Sequence, residues 1–152
     1  MVPESSSRQN LLEMVFSFLS ADEVATVSGY LAIADVPEGQ DLYVPGSAAD
    51  SCYIVLEGCL AIKIPGGLGA KSQVIALFYP RAPIGERGIV EPAVRTVTVT
   101  AVKNARVAEL SRASFSALQV EHPQLAIKLL KHFLLKSSRR LEKCSERLTR
   151  IL

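Results

Sequence analysis

The feature that most constrains the fold of this chain is a series of short extended segments between residues 31 and 110. The segments are rich in Val, Ile, Tyr and Thr, and they read LAIADV, LYV, CYIVL, CLAIKI, QVIALF, TVTVTAV and ARVAEL. Turn-forming stretches that contain Gly, Pro, Asp or Asn separate them, and no long helical pattern lies between them. The pattern excludes a doubly wound parallel sheet and predicts a mainly β fold, an antiparallel jelly-roll β-barrel.

Helical patterns precede this region. Residues 9–19 place their apolar side chains on one face, which predicts an amphipathic helix. A second helix is predicted to begin after Ser20, because Ser20 and Glu23 have the spacing of a capping box. It should end near Ser28-Gly29.

Two further helices are predicted after the strands. The stretch SRASFSALQVEHP predicts a short helix that Pro123 ends, and a long helix should run from about Gln124 to the end of the chain. The long helix carries a heptad pattern, with residues alternately four and three positions apart: Leu130, Leu134, Ser137, Leu141, Cys144, Leu148 and Ile151. This pattern favours a homodimer through the C-terminal helix. The alternative is that the stripe packs on the strands of its own chain.

The chain is thus divided into N-terminal helices (1–30), a β-barrel (31–110) and C-terminal helices (111–152). A length of 152 residues suits one compact unit, so we expect one domain overall.

Cysteine and histidine usage limits the chemistry. The chain has three cysteines without a CxxC pair and only two histidines, which argues against a disulfide framework and a metal site. No apolar run approaches the ~20 residues of a membrane helix, and the N-terminus lacks a signal-peptide pattern. We therefore expect a cytoplasmic protein with no metal and no cofactor.

The charge is unevenly distributed. Residues 125–152 contain eight basic and two acidic residues, a net charge of +6, whereas residues 1–124 carry −4. A basic helix can bind nucleic acid or a membrane surface, but a solvated helix face is the favoured interpretation.

One stretch, from Gly85 to Val99, departs from ordinary strand and turn sequence. A short turn of helix beginning at Gly85 would direct backbone N–H groups at a bound anion. Arg95, ten positions after Gly85, could form a bidentate pair with the same anion. Glu86 would suit a hydroxyl group. A ligand that joins a phosphate to a ribose hydroxyl would satisfy both side chains.

This stretch resembles the phosphate-binding cassette of the cyclic nucleotide-binding domain family, which has Gly-Glu and then Arg ten positions after the Gly. The framework of the chain is also similar to that family. Its matching residues are Gly39, Gly46, Tyr53-Ile54-Val55, Gly58 and the segment from Val107 to Phe115. The resemblance covers roughly residues 18–135.

The resemblance implies a regulatory module that binds cAMP or cGMP, and not an enzyme. Glu86 would accept a hydrogen bond from the ribose 2′-hydroxyl, and Arg95 would pair with the cyclic phosphate. Thr96 would contact the phosphate and the purine, which is compatible with cGMP but also occurs in cAMP binders. The cradle would be completed by the amides near Gly85, Arg87 and Gly88.

The resemblance also implies that the final helix acts as a lid over the base, so residues 111–152 are predicted to combine this lid with the dimerisation element that the heptad pattern favours. Leu125, Leu129 and Phe133 of the long helix would then pack over the purine and the mouth of the barrel. No nucleophile–base pair stands elsewhere in the sequence, so no catalytic residue is predicted.

The chain departs from the family pattern at several positions. Val94 replaces a frequent Pro before the Arg, and residues 80–84 lack the usual Gly-Asp/Glu-Phe-Phe. Arg87 stands where an aliphatic residue is usual. Its side chain could contact a phosphate or carboxylate of the ligand, or pair with Glu91 outside the pocket, and we favour the second interpretation.

Alternative functions remain open at this point. The domain could be degenerate and serve only in assembly. It could also be the regulatory part of a larger transporter, channel or transcription regulator. Because the sequence ends within the long helix, at Leu152, we expect no direct DNA binding from this chain.

Overall fold

A computed structural model describes residues 4–152, with side chains from residue 7 onward. The helices are α1 (Glu4–Val15), α2 (Ala21–Ser28), α3 (Arg87–Val90), α4 (Arg112–Glu121) and α5 (Pro123–Ile151). The strands are β1 (Ala32–Val36), β2 (Asp41–Tyr43), β3 (Ala48–Ala49), β4 (Ser51–Glu57), β5 (Leu60–Ile64), β6 (Gln73–Phe78), β7 (Pro83–Ile84), β8 (Ala93–Val94), β9 (Thr98–Ala101) and β10 (Ala105–Ser111). Each of the seven extended segments predicted from the sequence contains a strand.

The strands form separate antiparallel sheets. One sheet has the order β1-β10-β4-β7, the second has the order β2-β9-β5-β6, and β3 pairs with β8. The prediction of a closed barrel is therefore corrected, although the arrangement is consistent with a jelly roll. Edge strand β7 has two residues and begins with Pro83, which has no N–H to extend the ladder.

The N-terminal helices are arranged by the local signals that predicted them. Helix α1 begins earlier than the predicted range 9–19 and also ends earlier. It ends at Val15 because the chain turns there, and the Leu19 amide donates to the Phe16 carbonyl at 2.9 Å. The predicted capping box is confirmed: the Glu23 amide donates to Ser20 Oγ, and the Ser20 amide donates to the Glu23 carboxylate.

Two apolar clusters share strands β4 and β10. The first lies between the sheets and includes Val55, Val99 and Val107. The second packs Ile54 and Leu110 against the helices, and Leu125, Leu129 and Phe133 of α5 belong to it. Because β4 is covered on both faces, its sequence is a nearly continuous apolar run rather than an alternating one.

Acidification should weaken the packing of α5 on the turn after α1, where His132 stacks on Phe18 at a centroid distance of 3.8 Å. Burial, and to a smaller extent Lys136 and Arg139, lowers the pKa of His132. The unfolded chain, in which histidine has a pKa of about 6.5, then binds more protons than the native state. The unfolding free energy should fall as the pH drops below about 6.5 toward the lowered pKa of the native state.

Urea unfolding at pH 7 and pH 5 measures this change. His132→Phe keeps an aromatic stack and removes the titrating group, so this variant should lose part of the pH dependence. An unchanged pH dependence in the variant would contradict the assignment.

Candidate ligand-binding site

The cassette begins at a glycine that no other residue can replace without strain. Gly85 follows β7 and has a φ of +73°, a left-handed conformation that side chains disfavour. A Cβ atom at this position would lie 2.2 Å from Nη1 of Arg95. Gly85 therefore lets the Arg95 guanidinium approach the backbone of the turn.

A second glycine brings helix α3 close to strand β4. A Cβ atom at Gly88 would lie 2.5 Å from the Ser51 carbonyl oxygen, closer than real Cβ atoms come. The Gly88 amide, which the resemblance implies for the phosphate cradle, donates here to the Gly85 carbonyl at 3.0 Å. In this structure the role of Gly88 is close packing, and its amide is engaged within the turn.

Arg95 is a buried cation with an exposed fraction of 7%. Its Nη2 donates to the Ser51 carbonyl at 2.6 Å, and its Nη1 donates to the Gly85 carbonyl at 3.4 Å. Its buried Nε has no hydrogen-bond partner among the residues described. Within the same residues, no carboxylate oxygen lies within 4.0 Å of the guanidinium. Arg95 is thus a buried charge that is held by carbonyl groups, with no carboxylate of the described residues beside it.

Two tyrosines form an aromatic wall beside Arg95. Its guanidinium carbon lies 4.2 Å from the ring centroid of Tyr43 and 5.7 Å from that of Tyr53. Burial raises the pKa of Tyr43 to about 12, although Arg95 acts in the opposite direction. Tyr43 therefore remains a neutral phenol near pH 7 and does not neutralise the cation.

Glu86 faces helix α5 instead of the Arg95 side. Its Oε1 accepts from Arg140 Nη2 at 3.0 Å and from Ser137 Oγ at 3.1 Å. Arg140 also donates to the Pro83 carbonyl at 2.8 Å and stacks over the ring of Phe78 at 4.6 Å. The residue predicted to hold the ribose is therefore joined to the C-terminal helix.

Sequence reasoning did not identify Ser137 and Arg140 as site residues. A signal for Ser137 was present, because a small polar residue interrupts a heptad seam of leucines. The family resemblance implied that Leu125, Leu129 and Phe133 cover the ligand. In this structure those residues are buried in the cluster with the N-terminal helices, and the next turns of α5 reach Glu86.

The predicted site residues divide between two faces of the cassette. Gly85, Arg87, Arg95 and Thr96 line a cavity of about 120 Å³, together with Tyr43 and residues of β3 and β8. The Arg87 side chain is 71% exposed and pairs with Glu91 at 2.7 Å, as the favoured interpretation expects. Because Arg87 also lines the cavity, its place outside the pocket is not confirmed, and its contact with the ligand stays a prediction. Glu86 and Gly88 do not line this cavity.

Arg112, the first residue of α4, donates hydrogen bonds to the cassette. It was not identified as a site residue from the sequence. Its Nη1 donates to the carbonyls of Gly88, Ala49 and Glu91 at 3.0, 3.2 and 3.3 Å. A movement of α3 would therefore act on the helices that follow β10.

Two other kinds of site have no candidate among the residues described. No cluster of three or more His, Cys, Asp or Glu side chains suits a metal ion there. None of the helices described combines the length and apolar character needed to span a membrane.

Relatives of the chain occur as parts of longer proteins. The CRP-like cAMP-activated global transcriptional regulator of Mycobacterium tuberculosis is 23% identical over 119 residues, which are 77% of this chain and 52% of the regulator. The lysophospholipase nte1 of Aspergillus terreus is 30% identical over 96 residues, which are 63% of this chain and 6% of the enzyme. The chain thus spans about half of one relative and a small part of the other.

Solved structures share the fold of this chain. A cyclic nucleotide-binding domain from Methylobacillus flagellatus matches with a TM-score of 0.86 at 21% identity, over 97% of this chain and 86% of that one. The catabolite activator protein of Thermus thermophilus matches with a TM-score of 0.70 at 24% identity, over 90% and 62% of the two chains. The sequence model of the cyclic nucleotide-binding domain matches residues 34–122, over half of the chain. The chain therefore belongs to the cyclic nucleotide-binding domain family.

Proposed function

We propose that this chain binds a cyclic nucleotide, cAMP or cGMP, and acts as a regulatory module without catalytic activity. The observation that carries the proposal is Arg95, a buried guanidinium with an unpartnered Nε and no carboxylate within 4.0 Å in the part of the chain described. A buried charge without a counter-ion costs several kcal/mol, so a site of this kind favours an anionic ligand.

The cyclic phosphate would take the position opposite Arg95. It would replace the Ser51 and Gly85 carbonyls as the acceptor, and a bidentate pair with a phosphate is stronger than hydrogen bonds to neutral carbonyls. The amides of Gly85 and Arg87 and the exposed Thr96 hydroxyl would provide further donors. The present cavity of about 120 Å³ is smaller than the ~300–1,000 Å³ of typical small-molecule sites. Binding therefore requires residues that line the cavity, Arg95 among them, to move apart.

The ribose would compete with helix α5 for Glu86. The 2′-hydroxyl can donate to the Glu86 carboxylate only if Arg140 and Ser137 give up part of their contact with it. Binding would then loosen α5 from the cassette, and this displacement is the proposed output signal. A ligand shifts a conformational equilibrium only by such a difference in affinity between two states.

Removal of the competing cation should strengthen nucleotide binding. In Arg140→Ala, Glu86 is free for the ribose, so we expect the affinity for cAMP or cGMP to rise about two- to five-fold, the effect of a partly exposed ion pair. Arg139→Ala is the matched control, since Arg139 makes no contact with Glu86. A calorimetric titration of both variants measures the difference. Weaker binding by Arg140→Ala would mean that Arg140 contacts the bound ligand.

The proposal includes dimerisation through α5. Leu134, Leu141 and Leu148 are 71%, 68% and 59% exposed, although they share one stripe of the helix. Pairing of two helices would bury all three in each chain. The module would act in the cytoplasm as the regulatory part of a larger protein. That protein would be a transcription regulator, a channel or a transporter, and it would receive the signal from α5.

Hydrogen exchange with saturating cAMP or cGMP separates the proposal from an assembly-only role. We expect protection of the amides of residues 85–90 together with changed exchange in residues 123–140 of α5. Protection confined to residues 85–90 would leave a binding site without an output through α5. An unchanged pattern with both nucleotides would favour the second candidate, a degenerate domain whose exposed leucine stripe serves only assembly.

A further inference from the structure

Glu109 of strand β10 is a carboxylate on the inner face of the sheet β1-β10-β4-β7. It lies directly opposite Tyr53 of β4, and Val107 and Val55 form the neighbouring pair on the same two strands. Side chains two positions apart on a strand point to the same face, so Glu109 shares the face of Val107, which packs between the sheets. Glu109 therefore lies on the side of the sheet on which the Tyr53 ring approaches Arg95.

Ser51 connects this carboxylate to Arg95. The Ser51 hydroxyl donates to Glu109 Oε1 at 2.8 Å, and the Ser51 carbonyl accepts from Arg95 Nη2 at 2.6 Å. Ser51 is only 1% exposed, and hydrogen bonds in such a buried position are electrostatically stronger than hydrogen bonds in water. One buried residue thus links the carboxylate and the cation through two hydrogen bonds.

Tyr53 forms a second connection between the two charges. Its hydroxyl donates to Glu109 Oε1 at 3.5 Å, and its ring centroid lies 5.7 Å from the guanidinium carbon of Arg95. Burial raises the pKa of Tyr53, and Glu109 acts in the same direction, whereas Arg95 acts against both. The phenol therefore stays protonated near pH 7 and donates to the carboxylate.

The two other carboxylates of this region are less well placed to offset the charge of Arg95. Glu86 is engaged by helix α5. Asp50 is exposed, and its Oδ1 lies 3.4 Å from the Ser51 hydroxyl, so Glu109 at 2.8 Å is the closer acceptor. Glu109 is therefore the carboxylate with the most direct connection to Arg95.

We infer that Glu109 is a positioning residue for Arg95: its negative charge, connected through Ser51, holds the guanidinium on the Ser51 carbonyl in the nucleotide-free chain. A carboxylate in this position attracts Arg95 and repels an anion that approaches Arg95. Glu109 thereby lowers the affinity of the site for a phosphate group. The effect on affinity rests on the proposed binding of a cyclic nucleotide, whereas the connection between Glu109 and Arg95 does not.

The substitution Glu109→Gln tests the effect of the charge. It keeps the size of the side chain and an acceptor for the Ser51 hydroxyl, but it removes the negative charge. The affinity for cAMP or cGMP, measured by calorimetry, should rise about two- to five-fold, the effect of one partly exposed charge. The gain should shrink at high salt, because the charge is then screened. Damage to the fold would instead weaken binding, so a rise in affinity separates the charge effect from a merely structural one.

Two further substitutions provide the controls. Asp50→Asn removes the neighbouring carboxylate and should change the affinity less than Glu109→Gln does. Ser51→Ala removes the connecting hydroxyl and keeps both charges, so Glu109→Gln should have a smaller effect in this background than in the wild-type chain. Weaker or unchanged binding by Glu109→Gln, an equal gain from Asp50→Asn, or an equal effect of Glu109→Gln in both backgrounds would contradict the inference.

The nucleotide-free chain offers a measurement that does not depend on nucleotide binding. NMR spectra report the Nε–H group of Arg95, whose guanidinium lies over the Tyr43 ring. Glu109→Gln should shift this resonance and speed the exchange of its proton with water, whereas Asp50→Asn should leave both near their wild-type values. If this difference is found but the chain binds neither nucleotide, the proposed function fails and the positioning role of Glu109 stands. An unchanged Arg95 resonance in Glu109→Gln would overturn the inference even for a chain that binds nucleotide.

Discussion

Arg95→Ala should reduce the affinity for cAMP or cGMP more than 100-fold, about 3 kcal/mol, because a buried bidentate partner of the phosphate is removed. Arg95 is the only predicted ligand contact that is both cationic and buried within the cassette, and its Nε has no partner among the residues described. No other cation with this geometry lines the cavity. The exposed Arg87 side chain, which also lines it, is engaged with Glu91.

Two controls separate loss of binding from loss of folding. Arg95→Lys keeps the charge but cannot form the bidentate pair, so its affinity should fall between those of wild type and Arg95→Ala. Urea unfolding should show that both variants remain folded. A thermodynamic cycle can also combine the Glu86→Gln substitution with the ligand 2′-deoxy-cAMP. If Glu86 contacts the 2′-hydroxyl, the two changes together should lower the affinity by less than the sum of their separate effects. Equal affinities of wild type and Arg95→Ala would refute the assignment of Arg95.

Leu141→Glu should convert a dimer into a monomer. Leu141 lies at the centre of the exposed stripe on α5, between Leu134 and Leu148. In a paired helix its side chain would be buried, and a carboxylate there would lose its hydration without gaining a partner. Sedimentation equilibrium at a chain concentration of roughly tens of micromolar would show the change as a halving of the apparent mass.

Leu135→Glu is the matched control, because it makes the same chemical change on the other side of α5. Leu135 is also exposed, at 47%, but it lies outside the heptad positions. This variant should remain dimeric. A monomeric wild-type chain would contradict dimerisation and would leave the leucine stripe available for another partner.

Local features of the sequence predicted local features of the structure. The segments rich in Val, Ile, Tyr and Thr between turn residues located the strands, and the spacing of Ser20 and Glu23 located the start of α2. The spacing of Arg87 and Glu91 allowed the pair that the structure shows. In each case the interaction joins residues within one turn or one strand. Such interactions depend on spacing alone.

The contacts that connect distant parts of the chain were not predictable in this way. The Arg95–Ser51 hydrogen bond spans 44 positions, and the Arg140–Glu86 contact spans 54. Their existence depends on how the sheets and α5 pack together. The expected barrel closure failed for the same reason, since pairing between edge strands is decided by tertiary geometry rather than by the pattern of any one strand.

The cassette illustrates both cases. Its Gly85 and Arg95 were found because their ten-residue spacing is carried by one continuous stretch. Arg140, the charged partner of Glu86, was not predicted, because it belongs to a helix whose heptad pattern mainly indicates dimerisation. Ser137 is a polar residue that interrupts the leucine stripe of this helix, and such a residue can indicate a contact with a polar group elsewhere in the chain, here Glu86.

Titration calorimetry of the unmodified chain with cAMP and with cGMP shows directly whether the chain binds a cyclic nucleotide. We expect saturable binding of at least one of the two nucleotides, with one site per chain, and loss of that binding in Arg95→Ala at the same protein concentration. If a chain shown to be folded binds neither nucleotide at millimolar ligand, the proposal that it is a nucleotide-binding module is wrong.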